Sequence, residues 1–335
     1  TTLSTYCEKS VLRPHPHPQS GSNIFHTLRR STRVIKFLEI MKKLSKKDVK
    51  QEVFDLYDAY AHNQINRRQF MDKLSTYAVG VITVMSLMSF IIPDYKTKIQ
   101  VRQDDPRVQS AYINYNSENG GGEMKALFAR PAGVEGKLPG IVVVHENRGL
   151  NPYIEDVCRR AALAGFVALA PDALTPLGGY PGNDDEGRTM QRERDRNEML
   201  EDFIAAFVHL KNREGCSGKV GVVGFCFGGW ISNMMAVRIP GLGAAVPFYG
   251  SQPPTEMVPQ IQAPLMLHYG GLDERVNAGW PEYEAALKAN GKEYQAFFYP
   301  EKNHGFHNDT TPRYDKEAAE LAWSRTIDFF KEKLA

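Results

Sequence analysis

Cysteine is scarce in this sequence, with four in 335 residues: Cys7, Cys158, Cys216 and Cys226. No two of them show the C-x2–4-C spacing, which excludes the common structural zinc sites. Two disulfides would add little to a chain that can bury a large core, so a mostly reduced compartment is expected. Net charge is also small, at +2. Its basic part gathers near the N-terminus, in KKLSKK at 42–47 and at Arg29, Arg30 and Arg33. Residues 101–335 carry no basic stripe interleaved with aromatics, which argues against a nucleic-acid partner. The continuously apolar run from about Tyr77 to Pro93 is shorter than the roughly 20 residues of a spanning helix. A membrane partner is therefore not expected, and there is no internal repeat. What the chain does contain, 42% hydrophobic and 24% charged residues, suffices for one large α/β domain with an appendage.

Residues 1–40 hold PHPHPQSGS and scattered basic residues without an apolar period, and read as a disordered or non-native leader. Met41 reads as the start of the working protein. Residues 41–100 form a helical appendage. Val49, Val53, Leu56, Tyr57 and Tyr60 recur at three- and four-residue intervals, which predicts an amphipathic helix over 47–60. A second helical stretch runs through INRRQFMDKLSTYAVGVITVMSLMSFIIP. Arg67, Arg68 and Phe70 ahead of that apolar run resemble a twin-arginine export signal at 66–92. The segment lies deep inside the chain and lacks a small-x-small cleavage site before Pro93. The expectation is thus a helical appendage packed on the main domain or on a partner, in a cytoplasmic protein, with export as the alternative. A homo-oligomer is compatible with this arrangement.

Residues 101–335 alternate in type. SAYINYNS at 110–117 and EMKALFARP at 123–131 predict a hairpin across ENGGG. IVVVHE at 141–146 is the fully apolar run of a strand buried on both faces. A helix at 153–164, the strand GFVALAPD, one long charged helix over about 186–213 and the strand KVGVVGF follow. The strands AAVPFYG, APLMLHYGG and YQAFFYP alternate with helices at 279–290 and 315–333. This order predicts a doubly wound, mainly parallel sheet whose ligand site lies at the carboxyl ends of the strands.

Gly224-Phe225-Cys226-Phe227-Gly228 stands at such a strand end, with a helix expected after it. This is the form of a nucleophile elbow, with cysteine in the nucleophile position. A thiol attacks as thiolate, and its reference pKa of about 8.5 demands a neighbouring base. Asp273 in GGLDERV and His304 in EKNHGFHND follow later strands in the order acid, then histidine. Cys226, Asp273 and His304 are therefore the expected triad. His304 and His307 form H-x-x-H, with His145 as a further candidate ligand, but no third ligand is defined. No metal is expected, and His307 and Asp309 are read as organising their loop. Glu146 closes an apolar strand, where an unpaired carboxylate is costly. It is either paired with Arg148 or a proton partner of the thiol or substrate.

Taken together, VVVHENRGL, ALAPD, KVGVVGFCFGGW, AVPFYG, GGLDERV and NHGFH resemble the dienelactone hydrolase family of the α/β-hydrolase superfamily. The resemblance implies an α/β-hydrolase fold and a Cys226, His304, Asp273 triad, with Glu146 helping to generate the thiolate when substrate arrives. It also implies an oxyanion hole from the backbone N–H groups of Asn147 and Phe227. The implied reaction is hydrolysis of a small ester or lactone through a thioester, without metal or organic cofactor. One departure concerns the substrate. Family members that open dienelactone place an arginine four residues after the histidine, where this chain has Asn308. Arg188 is the candidate to supply another substrate-binding arginine, with an exposed helix residue as its plainer reading. The glycine-rich LTPLGGYPGNDDEGR is expected to overhang the site. A general carboxylesterase or thioesterase with the same triad is the nearest alternative, and a non-catalytic scaffold the more distant one.

Overall fold

The computed structural model describes residues 44–80 and 82–335; the leader expected at 1–40 and the start at Met41 lie outside them. Eight strands make one sheet: β1 (Val108–Ser117), β2 (Gly122–Pro131), β3 (Leu138–Val144), β4 (Val167–Pro171), β5 (Cys216–Phe225), β6 (Ala244–Phe248), β7 (Leu265–Gly270) and β8 (Tyr294–Tyr299). Their order across the sheet is β1-β2-β4-β3-β5-β6-β7-β8. The β1–β2 hairpin pairs antiparallel, β2 meets β4 antiparallel, and every later pairing is parallel. The chain thus has an α/β-hydrolase fold. The mainly apolar β3, β4, β6 and β7 are buried along their length or nearly so, as strands covered on both faces must be.

Helices cover the sheet on both faces: α4 (Pro152–Leu163), α5 (Asp184–Glu193), α6 (Arg196–Lys211), α7 (Phe227–Arg238), the short α8 (Glu274–Asn277), α9 (Trp280–Ala289) and α10 (Lys316–Lys333). They divide the apolar core into two clusters. One includes α6 and α7 against β3, β5 and β7; the other includes α4 and α10. The single charged helix expected over 186–213 is two helices. Asp195 between them accepts hydrogen bonds from the N–H groups of Asn197 and Glu198, and such N-capping starts a new helix.

Before the sheet come α1 (Gln51–Ala61), α2 (Arg67–Ser75) and α3 (Val84–Ile91). Asn66 caps α2 and Thr83 caps α3, each in a reciprocal capping box. These caps cut the apolar stretch expected as one helix into an eight-residue helix preceded by turns. No helix among the described residues is long and apolar enough to cross a membrane. Val53, Phe54, Phe70, Leu74, Leu87 and Ile91 form a third apolar cluster separate from those of the sheet. Arg67 and Arg68 open the folded helix α2, and Phe70 is buried beneath it.

Candidate active site

The turn from β5 into α7 is sharp enough to force Cys226 to φ 58°, ψ −111°, a conformation that few non-glycine residues adopt. Its glycine frame is a steric requirement. A Cβ on Gly224 would lie 1.9 Å from the Gly228 carbonyl oxygen, and one on Gly228 would lie 2.4 Å from that of Val144. Cys226 donates its own N–H to Phe248 at 3.0 Å. Phe227 is the first residue of α7, where an N–H has no partner inside the helix.

Asp273 ends the turn after β7 and caps α8. His304 lies in the loop after β8, and its Nδ1 is 2.6 Å from Asp273 Oδ2. Its Nε2 is buried without a hydrogen-bond partner. The ring packs against that of Tyr249, with centroids 4.9 Å apart. Burial would depress the basicity of His304, but the charges of Asp273, Asp58 and Cys226 outweigh it and hold its pKa up at about 10. Asp273 is held below the usual carboxylate range, because the pairing with His304 outweighs its burial.

A third residue at the thiol comes from outside the sheet. His62, which closes the C-terminus of α1, places Nε2 3.2 Å from Cys226 Sγ. Its Nδ1 faces Asp58, 2.9 Å from the carbonyl oxygen and 3.2 Å from Oδ1. The rings of His62 and His304 meet edge to face at 4.7 Å. Burial alone would push the Cys226 thiol up, yet the two histidines pull it well below its ordinary value. His62 in turn is raised, since the thiolate and Asp58 outweigh its burial. Among the described residues, the cluster of at least three His, Cys, Asp or Glu ligands close enough for one metal ion is His62, Cys226 and His304, with ligand atoms within 4.8 Å of one another. This set differs from the H-x-x-H grouping.

His307 and His145 are engaged elsewhere. His307 Nδ1 is 2.6 Å from the Tyr153 hydroxyl. Burial, reinforced by Arg160, keeps His307 well below the ordinary histidine value. His145 Nε2 accepts from the Ala173 N–H, which leaves Nδ1 to donate to the Glu146 carbonyl. Asp309 ties its loop to Arg160 at 2.7 Å.

Glu146 is almost fully buried. Asn308 Nδ2 donates to its Oε2 at 3.0 Å, and Arg148 Nε stands 4.0 Å away; the ion pair that binds Arg148 more closely is with Asp184, at 3.0 Å. Of the partners anticipated for this carboxylate, Arg148 stands at the limit of an ion pair and Cys226 shares no hydrogen bond with it, while its hydrogen bond runs to Asn308, which was not anticipated. Asn147 reaches the appendage, donating Nδ2 to the Ala61 carbonyl at 2.6 Å. Arg188 is buried, in contrast to the exposed helix residue of its plainer reading. It pairs with Asp185 at 2.6 Å and lies over the ring of Tyr60, 4.2 Å from its centroid.

Three residues at the site escaped sequence reasoning: His62, Arg275 and Arg196. Arg275 stands 3.2 Å from His62 Nε2, 3.3 Å from His304 Nδ1 and 3.5 Å from Asp58. Arg196 stacks over Trp230 at 3.4 Å and lies within the electrostatic reach of Cys226. The only available signal for Arg275 was its place two residues after Asp273. Beside His304 opens a cleft of about 490 Å³, lined from one side by Gln51, Phe54 and Asp58 and from the other by Arg275, Asn303 and Arg313.

The chain is similar to known proteins over this same region. Residues 124–334 match the profile of the "Dienelactone hydrolase family", and residues 41–80 match a second profile, "YqhI-like". The "Putative hydrolase fragment YghX" of Escherichia coli (strain K12) is 53% identical over 114 residues, 34% of this chain and 97% of its own length. The "Putative carboxymethylenebutenolidase" of Escherichia coli O157:H7 is 30% identical over 247 residues, 69% of this chain and 90% of its own length. A solved structure, "Putative Dienelactone Hydrolase from Klebsiella pneumoniae subsp. pneumoniae MGH 78578", aligns with a TM-score of 0.59 at 26% identity, covering 67% of this chain and 99% of that one. That relative is matched almost end to end while a third of this chain is left over, and His62 lies outside the 124–334 match. With the sheet order, the elbow and the profile in agreement, the chain belongs to the dienelactone hydrolase family and is a hydrolase of that type.

Proposed function

We propose that this chain hydrolyses a small ester or lactone through a thioester on Cys226, with His304 and Asp273 completing the triad. The observation that carries the reading is the meeting of three side chains from three separate strand ends: Asp273 at 2.6 Å on His304 Nδ1, and a free His304 Nε2 in the cluster around Sγ. The thiolate attacks the carbonyl carbon, forming a C–S bond. The oxyanion is held by the N–H groups of Phe227 and Asn147, each such donor contributing about 3 kcal/mol to the transition state. The C–O bond then breaks, and the leaving oxygen takes the proton from His304. Neutral His304 next removes a proton from water, which attacks the thioester; the C–S bond breaks and the carboxylic acid leaves the thiolate behind.

In this reading the chain divides into an appendage at 41–100 and a hydrolase domain at 101–335. Glu146 waits on Asn308 and Arg148 and assists thiol ionisation when substrate disturbs those contacts. Asn308 supplies an amide where an arginine would grip a substrate carboxylate. The arginines near the thiol are instead Arg275 and Arg196, while Arg188, paired with Asp185, is a weaker candidate for that grip. A neutral ester is therefore as good a candidate substrate as dienelactone, and a general carboxylesterase with the same triad is the second reading. A reducing, cytoplasmic setting suits a thiolate nucleophile, and the folded helix carrying Arg67 and Arg68 favours it over export.

The test is hydrolysis of dienelactone beside a simple aryl ester, each repeated with Cys226→Ala. Activity on either that vanishes in the variant supports the mechanism, and the preferred ester identifies the substrate class. Full activity of Cys226→Ala would refute it.

A further inference from the structure

His62 has no role in the triad, and it lies outside the residues that match the hydrolase family. Its surroundings nevertheless repeat those of His304. Each ring turns Nδ1 toward an aspartate, Asp58 for His62 and Asp273 for His304; Nε2 of His62 contacts Cys226 Sγ, and a ring nitrogen of His304 lies within 4.8 Å of the same sulfur. A histidine that only closed a helix would leave its outer nitrogen in water. That of His62 is in contact with Sγ at 3.2 Å, and its side chain is only 15% exposed. The Asp58 carbonyl at 2.9 Å and carboxylate at 3.2 Å on Nδ1 fix the tautomer that presents Nε2 as an acceptor, and an acceptor 3.2 Å from a thiol is placed to take its proton.

We infer that Asp58 and His62 form a second acid–histidine dyad on Cys226, so that the N-terminal appendage supplies a catalytic residue to the hydrolase domain. The inference rests on Cys226 being the nucleophile. With two histidines on one sulfur, the labour divides. His62 takes the thiol proton and keeps it as an imidazolium beside the thiolate, and Glu146 adds to that ionisation when substrate disturbs its contacts with Asn308 and Arg148. His304 is left to carry the proton that goes to the leaving oxygen and to recover one from the attacking water. When the thioester C–S bond breaks, sulfur departs as thiolate onto the N–H of His62 and needs no proton of its own. Protons balance over the cycle: one passes from His304 to the leaving group and one returns from water, while the proton of His62 stays in place.

Charges of both signs face this group. Asp58 is flanked by Arg313 at 3.3 Å and Arg275 at 3.5 Å, Arg275 also faces both rings, and Arg196 and Tyr249 feel the charge on Cys226. Two aspartates and a thiolate are thus met by two imidazoliums and by Arg275, Arg313 and Arg196. The appendage is held in register by contacts beyond the dyad: Gln51 with Asn303, Tyr60 with Asp185 at 3.1 Å, and the Ala61 carbonyl with Asn147.

The deciding experiment compares the full-length chain with His62→Gln and Asp58→Asn, reading both ester turnover and the pH profile of Cys226 alkylation by iodoacetamide, with Cys226→Ala to subtract the other cysteines. His62→Gln should lower kcat/KM about 100-fold, within the range supplied by general acid–base groups. It should also raise the alkylation midpoint by about one pH unit, a tenfold loss of thiolate. Asp58→Asn should move both readouts in the same direction by less, and it keeps the test available should His62→Gln fail to fold. Wild-type turnover and alkylation in both variants, with Cys226→Ala inactive, would overturn the dyad and leave the triad standing. A Cys226 no more reactive than a free thiol, with Cys226→Ala active, would remove the reading beneath both. Stoichiometric zinc in the purified chain, with activity lost to EDTA and restored by zinc, would make the three side chains ligands and also overturn the inference.

Discussion

The elbow at 224–228 and the segment around His62 bring side chains to the same sulfur by opposite means. The elbow is dictated by local backbone sterics. Its glycines stand where a β-carbon would meet a carbonyl oxygen, and its place is fixed by a strand whose every residue from Val220 is buried. The His62 segment is dictated by docking. Nothing in AYAHNQ requires a particular backbone apart from Asn63 at φ 61° just past the helix end, and the histidine has meaning only once α1 lies across the strand ends. One site can therefore draw on a part that the fold cannot lose and a part that is held by a small apolar cluster and a handful of polar contacts.

That contrast can be broken or sharpened by substitution. The largest effect belongs to the elbow: Gly224→Ala forces a Cβ to within 1.9 Å of a backbone oxygen, and the variant should yield no soluble folded protein; a well-folded Gly224→Ala would show that the turn is not as tight as described. Next is Leu74→Ala, which empties a fully buried position of the appendage at a cost of about 2–5 kcal/mol. Its thermal scan should lose esterase activity and fast Cys226 alkylation at a temperature below that at which the sheet loses its circular dichroism, whereas coincident transitions would mean that the two regions melt as one. Glu146→Gln removes a buried carboxylate charge while Asn308 still finds an acceptor and Arg148 keeps Asp184. Turnover should fall by about 1.5–3 kcal/mol of barrier, as for a lost bond to a charged group, with little change in melting temperature; equal activity would take Glu146 out of the mechanism.

A pH series isolates the His304–Asp273 pair. A histidine pKa raised from about 6.5 in the unfolded chain to about 10 in the folded one stabilises the protein fully below 6.5 and loses that contribution as pH rises through 10. In a Cys226→Ala background, which removes the thiol's own titration and its share in raising His304, the stability gap between His304 and His304→Gln should shrink steadily as pH rises above 6.5 and be gone by pH 10. A gap that widened instead would reverse the assigned sign. The smallest effect is that of Arg188→Met. Losing the contact with the Tyr60 ring, about 0.5–1 kcal/mol for a cation–π pair, should loosen the appendage slightly without changing the pH profile of alkylation.

Much of this molecule was legible in its sequence because the relevant forces act over short distances along the chain. The apolar runs at 141–144 and 220–225 announce buried strands, and the paired glycines announce the turn. The acid and histidine follow the strands that the parallel sheet needs. The break at Arg194–Asp195 was missed because the charged period runs through it and only the capping role of Asp195 interrupts the helix. The burial of Arg188 was not legible because its position on a charged helix says nothing of Tyr60, 128 residues earlier, closing over it. His62 was invisible for the same reason: a helix-ending histidine has no local signature of the cysteine it faces 164 positions later.

The backbone of Cys226, at φ 58° and ψ −111°, stores about 1–3 kcal/mol of conformational strain and is clamped by its hydrogen bond to Phe248. A residue so constrained would hold its backbone in place when its side chain is acylated in the proposed mechanism. On the proposed mechanism the sulfur is a stationary anvil: the acyl group would arrive at and leave from one point in space, and everything that moves during turnover, whether proton, water or departing alcohol, would travel around it.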